Sequence, residues 1–131
     1  MIVLDASAVV ELLLDTATGR RVAILMEDAS MGLHAPHLLD VEVVSALRRF
    51  VSDGSLDDDE AQEAIGDLMA LDLQRHSHEA LLERTWALRA NITAYDGVYV
   101  ALAEALDATL LTCDGRLARA PGTKMRVELI T

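Results

Sequence analysis

The stretch "IVLDASAVV", Ile2 to Val10, decides the architecture. Ile2–Leu4 reads as a short buried strand, and the run Ala8–Leu14 that follows almost at once reads as a helix. Between them stands Asp5, an ionisable group where the backbone leaves the core. An acid at that point caps the next helix or belongs to a charged site, and the rest of the chain has to choose.

The same rhythm continues along the chain. Thr18–Ala29 and Pro36–Ser52 read as helices, with a turn at Gly32 and a second short strand at Leu33–Ala35 between them. In the second helix Leu39, Val43, Ala46, Leu47 and Phe50 keep the spacing of one apolar face. "GSLDDDEAQEAI" (residues 54–65) is a turn and a helix start, and its acids Asp57–Glu60 sit where the helix dipole favours negative charge. A short strand is expected at Leu71–Leu73, a helix over Glu79–Ala90, and a helix over Tyr95–Leu106 that is apolar nearly all round and hence buried. Ala108–Thr112 and Arg126–Ile130 read as the last strands. Strands alternating with helices predict an α/β fold, a mainly parallel sheet covered on both faces. With no repeat, linker or low-complexity segment, residues 1–131 are expected to form a single domain.

Composition narrows the function. Hydrophobic residues make up 52% of the 131, enough for a core, while aromatics are only 3%, so that core is aliphatic. No apolar run approaches the roughly 18 residues of a membrane span. The start lacks a secretory leader's basic flank and cleavage site, and Cys113 is the only cysteine, so a reducing cytoplasm is the expected location. The formal net charge is −11, from 22 acidic and 11 basic residues. That balance excludes a broad electrostatic grip on nucleic acid and favours a bound metal, a basic partner, or both. A few arginines can still steer a nucleic-acid substrate; Arg48, Arg49, Arg116 and Arg119 are the candidates, with ordinary surface charge as the alternative.

The predicted architecture gives the acids a meeting place. Open parallel sheets bind ligands beyond the carboxyl ends of their strands. Asp5 follows the first strand, Asp114 lies two residues past Thr112, and Asp96 falls in the first turn of the buried helix "AYDGVYVALAEAL". Each has a capping alternative, and Thr93-x-x-Asp96 resembles a capping box. Glu42 borders the apolar stripe of its helix, where a lone carboxylate must be solvated, paired or metal-bound. Asp40 borders the other edge of that stripe, and the helical wheel does not choose between them.

Four segments together carry a resemblance. "IVLDASA", "PHLLDVEVVSAL", "TAYDGVYVALAEAL" and "LLTCDGRLA", in this order and spacing, resemble PIN-domain proteins and, more narrowly, the VapC toxins of bacterial toxin–antitoxin pairs. The resemblance implies a three-layer α/β/α fold with a central parallel sheet of about five strands. It implies a Mg²⁺- or Mn²⁺-dependent endoribonuclease acting on structured RNA, such as transfer or ribosomal RNA. Asp5, Glu42, Asp96 and Asp114 match the family's acidic quartet, and Ser7 and Thr112 its supporting hydroxyl positions. Asp5 and Asp96 are then the direct metal ligands, with Glu42 and Asp114 completing the shell and orienting the attacking water. Some relatives carry a further acid after the last Asp; here Gly115 and Arg116 follow, which bears on whether a second ion is held. The family also implies a homodimer and a small antitoxin whose basic or apolar tail covers the site.

Elementary chemistry is consistent with that assignment. Crowded carboxylates cannot all stay ionised without a compensating cation, and hard oxygen donors select Mg²⁺ or Mn²⁺. "HAPH" (His34, His37) and "HSH" (His76, His78) lack a nearby cysteine, and Pro36 interrupts the first, which argues against zinc. Cys113 is expected to be a buried thiol beside the site, and Trp86 a packing or interface residue. Two rival functions are a phosphoacceptor receiver domain and a non-catalytic acidic cleft that docks a basic protein. The receiver needs paired acids after its first strand, and Leu4-Asp5 offers one.

Overall fold

The computed structural model describes all residues, Met1–Thr131. Five strands form one sheet in the order β3-β2-β1-β4-β5, every neighbouring pair parallel. They are β1 (Ile2–Leu4), β2 (Leu33–Pro36), β3 (Leu73–His76), β4 (Thr109–Thr112) and β5 (Arg126–Leu129). The helices are α1 (Ala6–Leu13), α2 (Ala17–Glu27), α3 (Leu38–Ser52), α4 (Asp58–Ala70), α5 (Leu82–Ala87), α6 (Ala94–Leu106) and α7 (Gly115–Ala118). The α1–α4 group packs together on one face, and α6 lies across β1, β2 and β4 on the other, with α5 packed against α6. A three-layer α/β/α fold results, as the sequence predicts.

Chain direction explains the layers. From β1 the chain steps outward to β2 and β3, then returns past β1 to β4 and β5. Right-handed crossovers put helices on one face while the chain moves one way and on the other face after it reverses. The central strands are short and apolar on both sides: Val3, Leu4, Leu110 and Leu111 are all buried. Against them α6 buries a continuous run from Gly97 to Ala103, so its near-uniform apolarity reflects burial all round. In α3 the expected stripe faces inward, with Leu39, Val43 and Leu47 fully buried.

Several boundaries differ from expectation. The third strand runs Leu73–His76, not Leu71–Leu73, because Leu71 ends α4 in extended conformation and Leu73 opens the pairing with Leu33. An edge strand tolerates polar residues, so "LQRH" carries little periodic signal. Pro36 closes β2 rather than opening α3. The helix expected over Glu79–Ala90 is a 3₁₀ turn, Glu79–Leu81, followed by the short α5. Trp86 is 68% exposed, so it does not pack in the core. No helix is long and apolar enough to cross a membrane.

Candidate active site

The order in which the chain adds strands reverses between β1 and β4, and the carboxyl ends of those parallel strands frame the crevice where such sheets bind ligands. Register does the placing. Leu4 pairs with Leu111, so the next residues, Asp5 and Thr112, emerge side by side. The Thr112 hydroxyl, fully buried, donates to Asp5 Oδ2 and accepts from the Asp114 backbone N–H at 2.9 Å. One hydroxyl thus ties the two strand-end acids together.

Asp5 is 5% exposed and held by two further donors. The Ser7 hydroxyl lies 2.7 Å and the Ala8 backbone N–H 3.0 Å from Oδ1. The second bond makes Asp5 the N-cap of α1, so the capping residue also stands at the candidate site. Ser7 and Thr112 each spend their single hydroxyl proton on Asp5, and the Ser7 oxygen accepts from the Cys113 N–H at 2.9 Å. Burial nonetheless outweighs these donors and raises the Asp5 carboxyl, with the charge of Asp114 adding to the rise.

Glu42 and Asp96 arrive from helices on opposite faces of the sheet. The buried Tyr99 hydroxyl donates to Glu42 Oε1 at 2.6 Å, yet burial first, and then the charges of Asp96 and Asp5, push the Glu42 carboxyl upward. Asp96 is raised by burial and by Asp114, with Arg116 pulling the other way. The repulsions therefore close a ring: Asp5 with Asp114, Asp114 with Asp96, Asp96 with Glu42, Glu42 with Asp5. In α6 the cap is made by Thr93, whose oxygen accepts from the Asp96 N–H, and the Asp96 carboxylate itself takes no protein donor. Asp114 caps α7 through the Arg116 N–H at 2.9 Å.

A PIN-domain model matches residues 2–122. The chain belongs to the PIN-domain family. Its relatives lie within the VapC group: Ribonuclease VapC12 of Mycobacterium tuberculosis is 42% identical over 130 residues, 99% of each chain. Ribonuclease VapC1 of the same organism is 45% identical over 131 residues, covering 98% of this chain and 96% of its own. In the crystal structure of VapBC2 from Rickettsia felis bound to a promoter DNA fragment, one chain superimposes at TM-score 0.71, covering 100% of both chains at 17% identity. That last likeness is one of fold.

In this PIN domain the choice between Asp40 and Glu42 is made by tertiary contacts. Asp40 turns away to Arg75, which grips it with two bonds of 2.8 and 3.0 Å while also donating to the Leu73 and Leu68 carbonyls. Glu42 turns into the ring. Asp57 caps α4 through the Glu60 N–H at 2.8 Å, so that acidic run is a helix terminus. The four histidines gather along β2, β3 and the turns after them. His34 Nδ1 meets His76 Nε2 at 2.9 Å, and His78 Nε2 accepts the Leu38 N–H at 3.0 Å. Cys113, half-buried, has its thiol pushed up to about 11, mainly by burial and then by Asp5 and Glu11, so it stays protonated at neutral pH.

Tyr99, which bonds Glu42, is the candidate-site residue that the sequence reading misses. Its signal is local: it lies three residues after Asp96, one helical turn along the same face of α6. The donor set of the ring is oxygen throughout, which suits a hard cation. As the side chains lie, no three of them converge tightly enough to chelate a single ion. Mg²⁺ binds through one or two carboxylates and keeps several waters, so an open ring of acids fits a hydrated ion better than a dehydrated cage would.

Proposed function

We propose that this PIN domain, acting as one 131-residue unit, is a Mg²⁺- or Mn²⁺-dependent endoribonuclease and the toxin of a toxin–antitoxin pair. Asp5, Glu42, Asp96 and Asp114 are its catalytic residues. The observation that carries this reading is the geometry that gathers the ring at the sheet's switch point: Thr112 joins Asp5 to Asp114, and Tyr99, one turn from Asp96, holds Glu42. Such a ring is held at a cost in stability, and a divalent cation among the acids offsets that cost. The names of the VapC relatives supply the substrate class, RNA.

Roles follow from what each side chain is free to do. The family resemblance makes Asp5 and Asp96 the direct ligands; three donors hold Asp5 in place, and the Asp96 carboxylate takes no protein donor. A bound divalent ion supplies a more acidic water and a positive charge opposite the phosphorus oxygens. Tyr99 occupies Glu42 Oε1 and leaves Oε2 open to accept the proton of the attacking water. Burial raises the Glu42 carboxyl above its ordinary value, which makes it a stronger base for that proton. Thr112 keeps Asp5 and Asp114 in register, and Ser7 locks the Asp5 carboxylate plane.

The proposed partners are structured RNA, a second copy of the chain as a homodimer, and a small antitoxin, all in the cytoplasm. A lysine or arginine of the antitoxin tail takes the cation's place in the ring; a tail stripped of Lys and Arg that inhibits as well as the intact one would refute this substitution. The function itself is tested by incubating total RNA with purified protein in Mg²⁺ or Mn²⁺ against chelator, beside Asp5→Asn. Discrete fragments that vanish with chelator and with the variant are expected. No cleavage by folded, antitoxin-free protein in either metal would overturn the nuclease reading in favour of an acidic docking cleft.

A further inference from the structure

Of eleven cations, four are in ion pairs, Arg20, Arg75, Arg84 and Arg126, which leaves seven unpaired. Three of those seven, Arg89, Arg116 and Arg119, line one groove of about 500 Å³ together with Asn91, Thr93 and Asp96. On a molecule of net charge −11, this concentration of uncommitted positive charge at the edge of an acidic ring requires an account. The cleft on the other side of the ring, which Ser7 and Glu42 line, has a different character: Val10, Ala46 and Phe50 make much of its wall, with Arg49 its one cation.

Arg89 and Arg119, both exposed, are positioned without being neutralised. The Arg89 guanidinium lies 4.4 Å above the Trp86 ring centre, and Nη1 donates to the Trp86 carbonyl at 3.0 Å. This explains the exposed tryptophan: its ring is a platform. The Arg119 guanidinium lies across Gly115, where a Cβ would come within 2.8 Å of Nη1 and 3.0 Å of Nη2. The missing side chain of the residue after Asp114 is thus the space that Arg119 occupies. The charge of Arg116 reaches Asp96 itself.

The structure assigns this groove to the phosphates of the RNA strand on one side of the scissile bond, with Arg89, Arg116 and Arg119 as positioning residues. The inference rests on the nuclease reading above. Planar guanidinium forks match phosphate oxygens bidentately, and three of them share one groove with Asp96, where the strand on one side of a phosphodiester at the ring can lie. Such contacts hold the backbone in register and carry no base preference. They also reconcile an acidic protein with a polyanionic substrate: three of the seven unpaired cations line this one track.

The test measures binding apart from turnover, in the Asp5→Asn background with Mg²⁺, using a fluorescein-labelled single-stranded RNA of about 20 nucleotides at salt from about 50 to 200 mM. Replacing all three arginines by alanine is expected to weaken binding at least about tenfold at low salt and to make the log–log salt slope shallower by about 2. Arg→Lys variants keep most of the slope. Gly115→Ala, which alters no charge but displaces Arg119, produces part of the loss. Arg21→Ala, an exposed unpaired arginine elsewhere, leaves both quantities unchanged. An unchanged slope in the triple variant, no RNA binding by the parent, or arginine variants that lose antitoxin affinity instead of RNA affinity would each overturn the assignment. Arginine-dependent binding by a protein with intact Asp5 that cuts no RNA would sink the nuclease reading and leave the groove standing. Cleavage that survives the triple variant unchanged would sink the groove alone.

Discussion

Asp5 caps a helix, anchors two strand ends and carries a buried charge, and these roles pull its energetics in opposite directions. Its raised carboxyl means that the metal-free fold disfavours the ionised form. Asp5→Asn removes that charge and retains an oxygen for the Ala8 N–H. Metal-free Asp5→Asn is therefore expected to unfold at the same or a higher urea concentration than the parent while losing RNA cleavage, the usual opposition of stability and function in an active site. A lower urea midpoint would show that its three hydrogen bonds matter more than its desolvation. Tyr99→Phe works in the other direction. It strips the donor from Glu42 and should lower stability by about 1–2 kcal/mol in urea titrations, with cleavage reduced as the carboxylate loses its fixed orientation.

Two contacts between elements are equally exposed to test. Helices α1 and α2 touch at Gly19, where a Cβ would stand 2.0 Å from the Glu11 carbonyl oxygen. Backbone cannot yield as a side chain can, so Gly19→Ala is expected to cost about 3 kcal/mol or more, read as a lowered thermal midpoint. Strands β2 and β3 are joined by the His34–His76 bond. The Met31 carbonyl takes the His34 Nε2 proton, which makes Nδ1 the acceptor and His76 Nε2 the donor. Burial, with His34 and His37 beside it, lowers His76 below its ordinary 6.5. The unfolded chain then takes up a proton that the fold refuses, so this contribution to stability is complete above 6.5 and is lost as pH falls from there toward the lowered folded value. Between pH 7 and pH 5 the parent should lose stability relative to His76→Gln; parallel pH profiles would refute the assignment.

For the molecule as a whole, the ring predicts linkage among metal, protons and stability. Carboxylates raised in the fold cost stability above their ordinary values, and that cost shrinks as pH falls through the raised ones. Saturating Mg²⁺ or Mn²⁺ should raise the thermal midpoint at pH 7.5 and do so progressively less toward pH 5, because protons then compete for the same oxygens. A midpoint that ignores divalent ions at pH 7.5 would count against the metal site. With Asp5→Asn the metal-induced rise should fall sharply.

Local pattern was enough for much of this. A strand ending on Asp5, the apolar stripe of α3, the buried run of α6 and the strand before Asp114 are each properties of contiguous residues, and they announced an α/β sheet with acids at its strand ends. The same pattern misplaced β3 and overextended α5, because an edge strand and a short helix on the outside of the fold bury too little to leave a period. What the sequence could not decide was which acids face one another. Asp40 and Glu42 flank one stripe almost symmetrically, and only Arg75, brought in by β3, and Tyr99, brought in by α6, turn one outward and the other into the ring. Arg89, Arg116 and Arg119 likewise come from separate segments and share a groove only after the chain reverses across β1. Helix and strand are written in neighbours along the chain; a site of mutually repelling charges is written in neighbours across it, and those are fixed only when burial of the core sets the register.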